Sequence, residues 1–210
     1  IPDAIGTQVR VKVADASDTS VADNSDANFI IKGSLTLTSP NGGEAWTVAA
    51  VKPITWTKTG SIVNVKLDYA TDGGTNYTNA IIASTPAAIG TFNWTIPDNP
   101  SATVKVRVSD ASDANVNDAS NANFKIIAYV NLLVPNGGQG WGIGTSQQIT
   151  WTTVGSIANV RLEYSTDGGA NYTYLITNST PGGSLSYYWT IPDSPSTNVK
   201  VKITDITESA

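Results

Sequence analysis

The sequence predicts an all-β protein of tandem β-sandwich modules, and three observations support this prediction. The tripeptide IPD begins at positions 1, 96 and 191, so the 210-residue chain repeats with a period of 95 residues. Apolar and polar residues alternate along short segments, which is typical of strands with one buried face. Clusters of Gly, Pro, Asn and Asp separate these segments at intervals of about 8 to 12 residues. About seven such strands in one period predict an immunoglobulin-like sandwich.

The repeat runs through the chain without an insertion. The motif PNGG begins at 40 and 135, ITWT at 54 and 149, and WTIPD at 94 and 189. Self-similarity at a fixed period is the signature of an architecture in which each copy folds into one similar unit. The chain is therefore predicted to hold successive copies of one module.

The alternation is clear in residues 63–69. Every second residue from Val63 onward is predicted to face the core, and the polar residues between them, such as Asp68, are predicted to face solvent. Trp56 and Trp94 lie on the same side as their apolar strand neighbours. We therefore predict that both indole rings pack in the core.

The phase of the repeat sets the predicted domain boundaries. Only residues 34–128 contain a module with both of its edge strands. Residues 1–33 are then the C-terminal part of an Ig-like module, and residues 129–210 form an Ig-like module that lacks its last strand. We expect the natural chain to continue in both directions, or the ends of neighbouring copies to complete one another.

The junctions between modules contain almost no linker. At the second junction only Ala128 and Tyr129 separate one apolar strand from the next. Flexible linkers are longer and rich in Gly and Ser. The array is therefore predicted to behave as a stiff rod.

The composition excludes several classes of function. The formal charge is −5 and the basic residues are scattered, whereas nucleic acids and anionic membranes are bound by clustered Lys and Arg. The absence of His and Cys removes zinc sites, thiol nucleophiles and His-dependent triads. We therefore predict no nucleic-acid partner, no membrane insertion, no catalytic residues and no enzyme activity. The expected cofactor is none, with Ca²⁺ as the one candidate.

Two acidic loops at corresponding positions of the repeat are candidate calcium sites. The carboxylates are Asp15, Asp18 and Asp23 in the first loop and Asp110, Asp113 and Asp118 in the second. Carboxylates this close repel one another unless solvent separates them or a cation gathers them. Asp and Asn also stabilise turns by hydrogen bonds from side chain to backbone. Both interpretations stay open, and the turn interpretation is favoured because the spacing is not that of an EF-hand loop.

Asp-Gly-Gly triplets indicate hairpin turns in ATDGGTNY at 70–77 and in STDGGANY at 165–172. Gly supplies the positive φ that such turns require. The second stretch resembles the Asp-box hairpin of sialidases and β-propellers, with Ser165 and Asp167 at the motif positions, and Ala70 replaces the serine in the first. In those families the box is a folding element, so the resemblance implies no sialidase activity.

Aromatic residues beside the loops are candidate carbohydrate contacts, because flat apolar rings stack on sugar rings. Trp46 and Trp141 follow the PNGG loops, and Tyr77 and Tyr172 follow the Asp-Gly-Gly turns. The alternative is that these rings pack within the fold, as most aromatic side chains do.

Taken in order, five motifs resemble the bacterial tandem Ig-like repeats related to the Ser-Thr-rich, glycosylphosphatidylinositol-anchored fungal family, whose module also heads cell-wall β-1,6-glucan assembly proteins. The motifs are TSPNGGEAW, ITWT, VKLDYATDGG, FNWTIPD and VRVSDASDANVNDASNANF. The resemblance covers essentially the whole chain. It implies a secreted or surface-displayed spacer, adhesive or wall-associated module and supplies no catalytic residues. The third copy departs after Asp205, where ITESA replaces ASDAN.

These observations predict a non-enzymatic structural protein, extracellular or at the cell surface, that forms a stiff rod or filament. Self-association is expected along exposed sheet edges, or by a strand of one chain completing its neighbour. The alternative is a carbohydrate-binding or adhesive module that contacts cell-wall or extracellular polysaccharide. A third interpretation is an appendage of a secreted hydrolase.

Overall fold

The computed structural model describes residues 3–206, and the described chain is all-β, as predicted. Residues 6–31 form β1 (Gly6–Val9), β2 (Lys12–Ala14), β3 (Ala22–Asn24) and β4 (Phe29–Ile31). Residues 34–127 form β5 (Ser34–Ser39), β6 (Ala45–Thr47), β7 (Val51–Thr59), β8 (Asn64–Ala70), β9 (Asn79–Pro86), β10 (Thr91–Thr95), β11 (Ser101–Asp110), β12 (Asn117–Ala119) and β13 (Phe124–Ile127). Residues 129–205 form β14 (Tyr129–Val134), β15 (Ser146–Val154), β16 (Asn159–Ser165), β17 (Tyr174–Pro181), β18 (Ser186–Thr190) and β19 (Lys200–Asp205).

Two 3-10 turns complete the regular structure, at Ala87–Ile89 and Gly182–Ser184. Within residues 3–206 no helix has the length and apolar character needed to cross a bilayer.

The strands of residues 34–127 form two sheets. One has the order β10-β7-β5, and the other has the order β6-β13-β11-β8-β9 with β12 paired to β11. The strands after Ala128 repeat this plan as β14-β15-β18 and β17-β16-β19. The first four strands form two short ribbons, in which β1 pairs with β4 and β2 pairs with β3.

The repeats share their strand register as well as their motifs. Leu37 of β5 lies opposite Trp56 of β7, and Leu132 of β14 lies opposite Trp151 of β15. The register shifts at the following residue in both pairs, and a cis peptide bond follows each shift, at Ser39–Pro40 and at Val134–Pro135. Because a slip of one residue would turn every core side chain toward solvent, the matched register shows that the 95-residue repeat is also a structural repeat.

The core of the last sandwich brings the two sheets face to face. Its buried residues are Ile149, Trp151, Ile157, Val160, Leu162, Tyr164 and Trp189. The ring centroids of Tyr164 and Trp189 lie 5.0 Å apart, and they come from different sheets. The same pair in the preceding repeat, Tyr69 and Trp94, is also 5.0 Å apart. Offset and tilted ring pairs of this kind add to the free energy of simple burial.

The predicted burial of Trp56 and Trp94 is confirmed, but the alternation in residues 63–69 is only partly correct. Trp56 is 3% exposed and Trp94 is 6% exposed. Val63 is 76% exposed, because β8 begins one residue later, at Asn64. Asp68, predicted to face solvent, is 2% exposed. The Nζ of Lys66 and a guanidinium nitrogen of Arg107 lie 3.1 Å and 3.4 Å from its carboxylate.

The chain separates into two compact units. The first contains residues 1–44, 52–94 and 103–124, and the second contains residues 45–51, 95–102 and 125–210. The boundary after residue 124 lies close to the predicted module boundary after residue 128. Residues 45–51, 95–102 and 125–128 of the 34–128 repeat fall in the second unit, so the compact units do not coincide with the sequence repeats.

Truncation of a core side chain is expected to destabilise the last sandwich strongly. Leu162 is fully buried, so Leu162→Ala should lower the free energy of unfolding by about 2–5 kcal/mol through lost burial and a residual cavity. Urea unfolding followed by tryptophan fluorescence measures the loss. Leu175→Ala is the matched control, because Leu175 is 53% exposed, and it should change stability by less than about 0.5 kcal/mol. Equal effects of the two substitutions would contradict the assignment of this core.

Candidate functional site

The acidic loops fold as turns closed by their own carboxylates. Asp110 Oδ1 accepts hydrogen bonds from the backbone N–H and the hydroxyl of Ser112, at 2.8 Å and 2.7 Å. Asp113 Oδ1 likewise accepts the N–H of Asn115 at 3.0 Å. The corresponding carboxylates of the first loop, Asp15 and Asp18, accept from serines two residues later. These contacts account for the Asp-rich sequence as turn chemistry.

The third aspartate of each set lies on the strand that follows the loop. Asp118 belongs to β12, and its Oδ2 accepts the backbone N–H of Leu37 at 2.8 Å. Asp23 occupies the same place on β3. Among residues 3–206 no group of three or more carboxylates gathers in an arrangement that could hold a metal ion. The structure therefore does not bring the six candidate ligands together, and calcium binding stays a prediction.

One side of the second acidic loop lies against a small concavity. Lys32 Nζ approaches Asp113 Oδ2 to 3.2 Å at its rim. The hydrogen bonds from Asn115, and then the contact with Lys32, lower the pKa of the Asp113 carboxyl. The concavity has a volume of about 220 Å³ and is lined largely by apolar side chains and backbone. Its carboxylates are already engaged, so it offers no evident ligand chemistry.

The four candidate carbohydrate contacts have different surroundings. Trp46 is 7% exposed and lies on β6, whose strand pairs in parallel with β13. Trp141 is half-buried and lies edge-on to Trp189, with ring centroids 6.2 Å apart. The Arg107 guanidinium covers one face of the Tyr77 ring at 4.3 Å, and Lys202 Nζ lies 5.6 Å from the ring of Tyr172.

The two tyrosines instead complete the Asp-Gly-Gly turns. A Cβ added to Gly74 would lie 2.9 Å from the Tyr77 hydroxyl, and Gly169 stands in the same relation to Tyr172. Both glycines have positive φ, 89° and 93°. Glycine is therefore required twice over, by the backbone conformation and by the close approach of the tyrosine.

The aspartate of each turn holds the following loop by hydrogen bonds. Asp167 accepts the N–H and the side-chain amide of Asn171 at 3.0 Å and 2.8 Å, and it also accepts the hydroxyl of Ser165. Asp72 accepts the same two hydrogen bonds from Asn76. The residue that corresponds to Ser165 is Ala70, which has no hydroxyl to donate. The Ser165 hydroxyl, followed by the Asn171 contacts, holds the pKa of Asp167 well below its usual range. The pKa of Asp72 is lowered as well, chiefly by the N–H of Asn76.

The PNGG loop of the 34–128 repeat is fixed by contacts with the loop that precedes β13. The carboxylate of Glu44 accepts the N–H groups of Asn41 and Gly42, both at 2.8 Å. The hydroxyl of Ser120 donates to the Pro40 carbonyl at 2.8 Å, and the N–H of Gly43 donates to the Asn123 carbonyl at 2.9 Å. The loop is thus a structural element and not an anion-binding site.

The contact that occurs at both junctions between repeats is a clamp formed by an aspartate and a serine. At the second junction Asp98 Oδ1 accepts the backbone N–H of Ser156 and Oδ2 accepts its hydroxyl, both at 2.7 Å. At the first junction Asp3 makes the same two bonds to Ser61, at 2.9 Å and 2.7 Å. We call each of these pairs a junction clamp. Bonds to an ionised acceptor are stronger than neutral ones, and two on one residue fix its orientation.

Backbone contacts position both partners of the second clamp. Ile96 exchanges hydrogen bonds with Ala49 and Ala50, each 2.9 Å long, and so fixes the IPD segment that carries Asp98. On the other side, Gly155 has a φ of 82°, and a Cβ added there would lie 3.0 Å from Ala128 and 3.2 Å from the Asp98 carboxylate. The close approach of Asp98 to Ser156 therefore requires glycine at position 155.

The junction clamps were not predicted from the sequence, although a signal for them is present. The aspartate belongs to the IPD motif, and the serine belongs to the tripeptide GSI, which begins at 60 and at 155. Both motifs recur with the 95-residue period, but they lie 58 residues apart within a clamp. Periodicity alone does not show that two such motifs meet. At the first junction, the hydrogen bonds from Ser61 lower the pKa of Asp3.

Comparisons with known proteins give little further guidance. No family model matches the sequence, and no curated protein matches it either. Among solved structures, the chain is similar to the fibronectin(III)-like modules of CbhA from Clostridium thermocellum, with 19% sequence identity, 74% of this chain and 78% of that chain covered, and a TM-score of 0.29. The all-β class rests on the strands described above.

The two Asp-Gly-Gly turns predict different titration behaviour for their aspartates. Asp167 should titrate below Asp72, and both should titrate below the ordinary value of 3.8. Because the folded-state pKa is depressed, the ionised carboxylate stabilises each turn above pH 3.8, and this contribution is lost as the pH falls through the lowered pKa. NMR titration of the side-chain carboxyl carbons measures both values.

Exchange of the residue at the start of the turn provides the control. Ser165→Ala should raise the pKa of Asp167 toward that of Asp72, and Ala70→Ser should lower the pKa of Asp72. A pKa of Asp167 that does not change in Ser165→Ala would show that the hydroxyl is not its main hydrogen-bond donor.

Proposed function

We propose that this chain is a non-enzymatic extracellular structural protein in which tandem Ig-like sandwiches are joined end to end into a stiff rod or surface filament. The observation that carries the proposal is the junction clamp, which recurs with the same two hydrogen bonds at both junctions. A chance contact between neighbouring modules has no reason to recur with the same atoms. A contact that orients one module against the next is expected to recur with the same atoms.

The covalent connection supports the same proposal. Only Ala128 separates the end of β13 from the start of β14, and residues 32 and 33 separate β4 from β5. With so few connecting residues the chain has little freedom to pivot. A short connection limits the direction of the next repeat, and the clamp adds a second point of attachment.

The ion pairs of the acidic strand residues are consistent with a scaffold. Lys66 and Arg107 form ion pairs with the buried carboxylate of Asp68. The corresponding Glu163 forms an ion pair with Arg161, at 2.8 Å. Lys66 and Arg161 lie on the same strand as the carboxylate that they contact, whereas Arg107 reaches Asp68 from the neighbouring β11. These acidic side chains thus have structural partners, which favours a structural role over an acid-base one.

A second proposal is the adhesive or carbohydrate-binding module expected from the sequence. Three tyrosines after residue 128 support it, since Tyr129, Tyr174 and Tyr188 are 48%, 46% and 69% exposed. Glycan-array binding that is lost in Tyr188→Ala would favour this function. Absence of binding to cell-wall and extracellular polysaccharides would remove it. The burial of Trp46 makes that ring unsuitable as a contact without unfolding its strand.

Removal of the second junction clamp is expected to loosen the orientation of the repeats without unfolding them. In the unmodified chain, NMR residual dipolar couplings of amides on either side of Ala128 should fit one alignment tensor. In Asp98→Ala they should require two, because the two hydrogen bonds to Ser156 are lost.

Asp193 supplies the matched control for this experiment. It is the third aspartate of the IPD series, and its side chain is exposed. Asp193→Ala should therefore leave the couplings unchanged. Independent tensors already present in the unmodified chain would refute the stiff rod.

A further inference from the structure

We propose that the outer face of sheet β14-β15-β18 binds an extended, uncharged polysaccharide. This inference rests on the carbohydrate-binding function given above as the second proposal, and it adds the binding face and the chemical class of the ligand. We call this surface the hydroxyl face. Its polar members are Asn131, Gln148, Thr150, Thr152, Ser186 and Thr190.

Strand parity and register place these side chains on the side of the sheet that faces away from the core. Trp151 of β15 is buried, and its neighbour Thr152 is exposed. Thr152 lies opposite Asn131 of β14, and Gln148 lies opposite Tyr188 of β18. Residues directly opposite each other on paired strands point to the same face, so the polar side chains of all three strands share one surface.

The hydroxyl face is uncharged. None of the residues of β14, β15 and β18 is charged. The outer side of the other sheet is different, because Arg161 and Glu163 of β16 lie there beside Lys202 of β19. Threonine favours strands in general, but both sheets consist of strands, so strand propensity does not explain why the charges are confined to one of them.

The preceding repeat has the same kind of surface. On the outer side of sheet β10-β7-β5, threonines occupy positions on all three strands, namely Thr36, Thr38, Thr55, Thr57, Thr59 and Thr91. Thr36 lies opposite Thr57, and the hydroxyls of Thr38 and Thr55 are hydrogen-bonded at 2.6 Å. Several of these positions change residue in the last sandwich, for example from Thr36 to Asn131, but none of the replacements introduces a charge.

Threonine suits a ligand that is itself rich in hydroxyl groups. Its hydroxyl both donates and accepts hydrogen bonds, as a sugar hydroxyl does, and its methyl group can contact the C–H groups of a sugar ring. Threonine is β-branched and has few side-chain rotamers, so little conformational entropy is lost when a ligand immobilises it. Neighbouring strands are about 4.7–4.9 Å apart, so one ligand meets several such groups at once.

Two tyrosine rings flank the polar centre of the hydroxyl face. Tyr129 and Tyr188 are 48% and 69% exposed, and they lie on the two strands that border β15. They occupy the positions of Ser34 and Asn93 in the preceding repeat. An exposed aromatic ring offers a flat apolar surface beside a polar tip, which is suited to the apolar side of a sugar ring. The last sandwich is therefore expected to bind more tightly than the preceding repeat.

The separation of the two rings indicates a polymeric ligand. Tyr188 lies opposite Gln148, whereas Tyr129 lies opposite Val154. At about 3.3 Å per residue, these two positions are roughly 20 Å apart along β15. A monosaccharide or a disaccharide is too short to contact both rings. A ligand that uses the whole face is therefore an extended chain of several sugars.

The same face is less suited to other classes of partner. Nucleic acids and acidic polymers are bound by clustered Lys and Arg, and the strands of the hydroxyl face contain neither residue. Protein–protein interfaces depend on aromatic or Arg anchors near their centre, where Ser and Thr are under-represented. Here the rings lie on the two outer strands and the centre carries Thr150 and Thr152. A second copy of this chain therefore fits the face less well than a neutral glycan.

Affinity electrophoresis of the 210-residue chain tests the proposal. A soluble polysaccharide included in a native gel retards a protein that binds it. We expect at least one uncharged polymer from a panel of β-glucan, α-glucan, mannan and galactan to retard the chain, and we expect anionic polygalacturonate to have no effect. A disaccharide of the retarding polymer, at equal sugar concentration, should not restore the mobility, because it does not reach both rings.

Substitutions on the two sheets locate the binding. Thr152→Val keeps the shape of the side chain but removes its hydroxyl, and it should weaken binding about two- to tenfold. Thr152→Glu places an unpaired carboxylate under the ligand and should weaken binding about tenfold or more. Ser179→Glu is the matched control, because Ser179 is exposed on β17 of the other sheet. It should bind like the unmodified chain, and unchanged urea unfolding midpoints would show that all three variants fold.

The outcomes separate this inference from the functions on which it rests. Retardation by a neutral polymer that is weakened in Thr152→Glu and retained in Ser179→Glu would support the hydroxyl face. Equal retardation of the two variants, displacement by the disaccharide or a preference for polygalacturonate would overturn it while leaving a carbohydrate-binding function in place. No retardation by any polymer would remove both, and the stiff rod would still be decided by the dipolar couplings.

Discussion

Each sandwich is organised around a tryptophan that must be buried and hydrogen-bonded at once. Trp151 is 1% exposed, and its indole N–H donates to the Gly182 carbonyl at 2.8 Å. Trp56 donates in the same way to Ala87 at 3.0 Å. Burial of the ring contributes a large apolar area, but an unpaired indole N–H would offset much of it. The 3-10 turn that supplies the carbonyl must therefore lie over the core, and this fixes where the chain enters the next strand.

The sequence was sufficient to predict features that depend on local pattern and period. The Asp-Gly-Gly triplets predicted the turns in which Gly74 and Gly169 have positive φ, and strand parity predicted the burial of Trp56 and Trp94. The burial that strand parity predicted for Val63 was wrong, because alternation does not show where a strand begins. Parity failed at Asp68 because a polar side chain on the outer face can still be covered by cations, which here are Lys66 of the same strand and Arg107 of the neighbouring β11.

The junction clamp lies beyond what sequence pattern can reveal. Asp98 and Ser156 are brought together by the fold of two consecutive repeats, and neither residue type is unusual at a turn. The same limit applies to the acidic loops, where three aspartates close in sequence are separated by the strand that carries Asp118. Proximity in sequence suggested a cation site, whereas the backbone directs the carboxylates to different donors. Such outcomes depend on tertiary geometry and are not encoded in spacing.

The identical registers of β5 with β7 and of β14 with β15 bear on how the chain folds during synthesis. A segment such as ITWT can pair with the wrong copy of its partner as well as with the right one, and the error satisfies the same local interactions. Ribosomes add about 5–20 residues per second, so one 95-residue period takes roughly 5–20 s to emerge. A finished repeat therefore has time to close before its near-duplicate appears. Refolding of the whole chain from denaturant offers no such separation in time, and kinetic traps with strands exchanged between repeats are its characteristic failure.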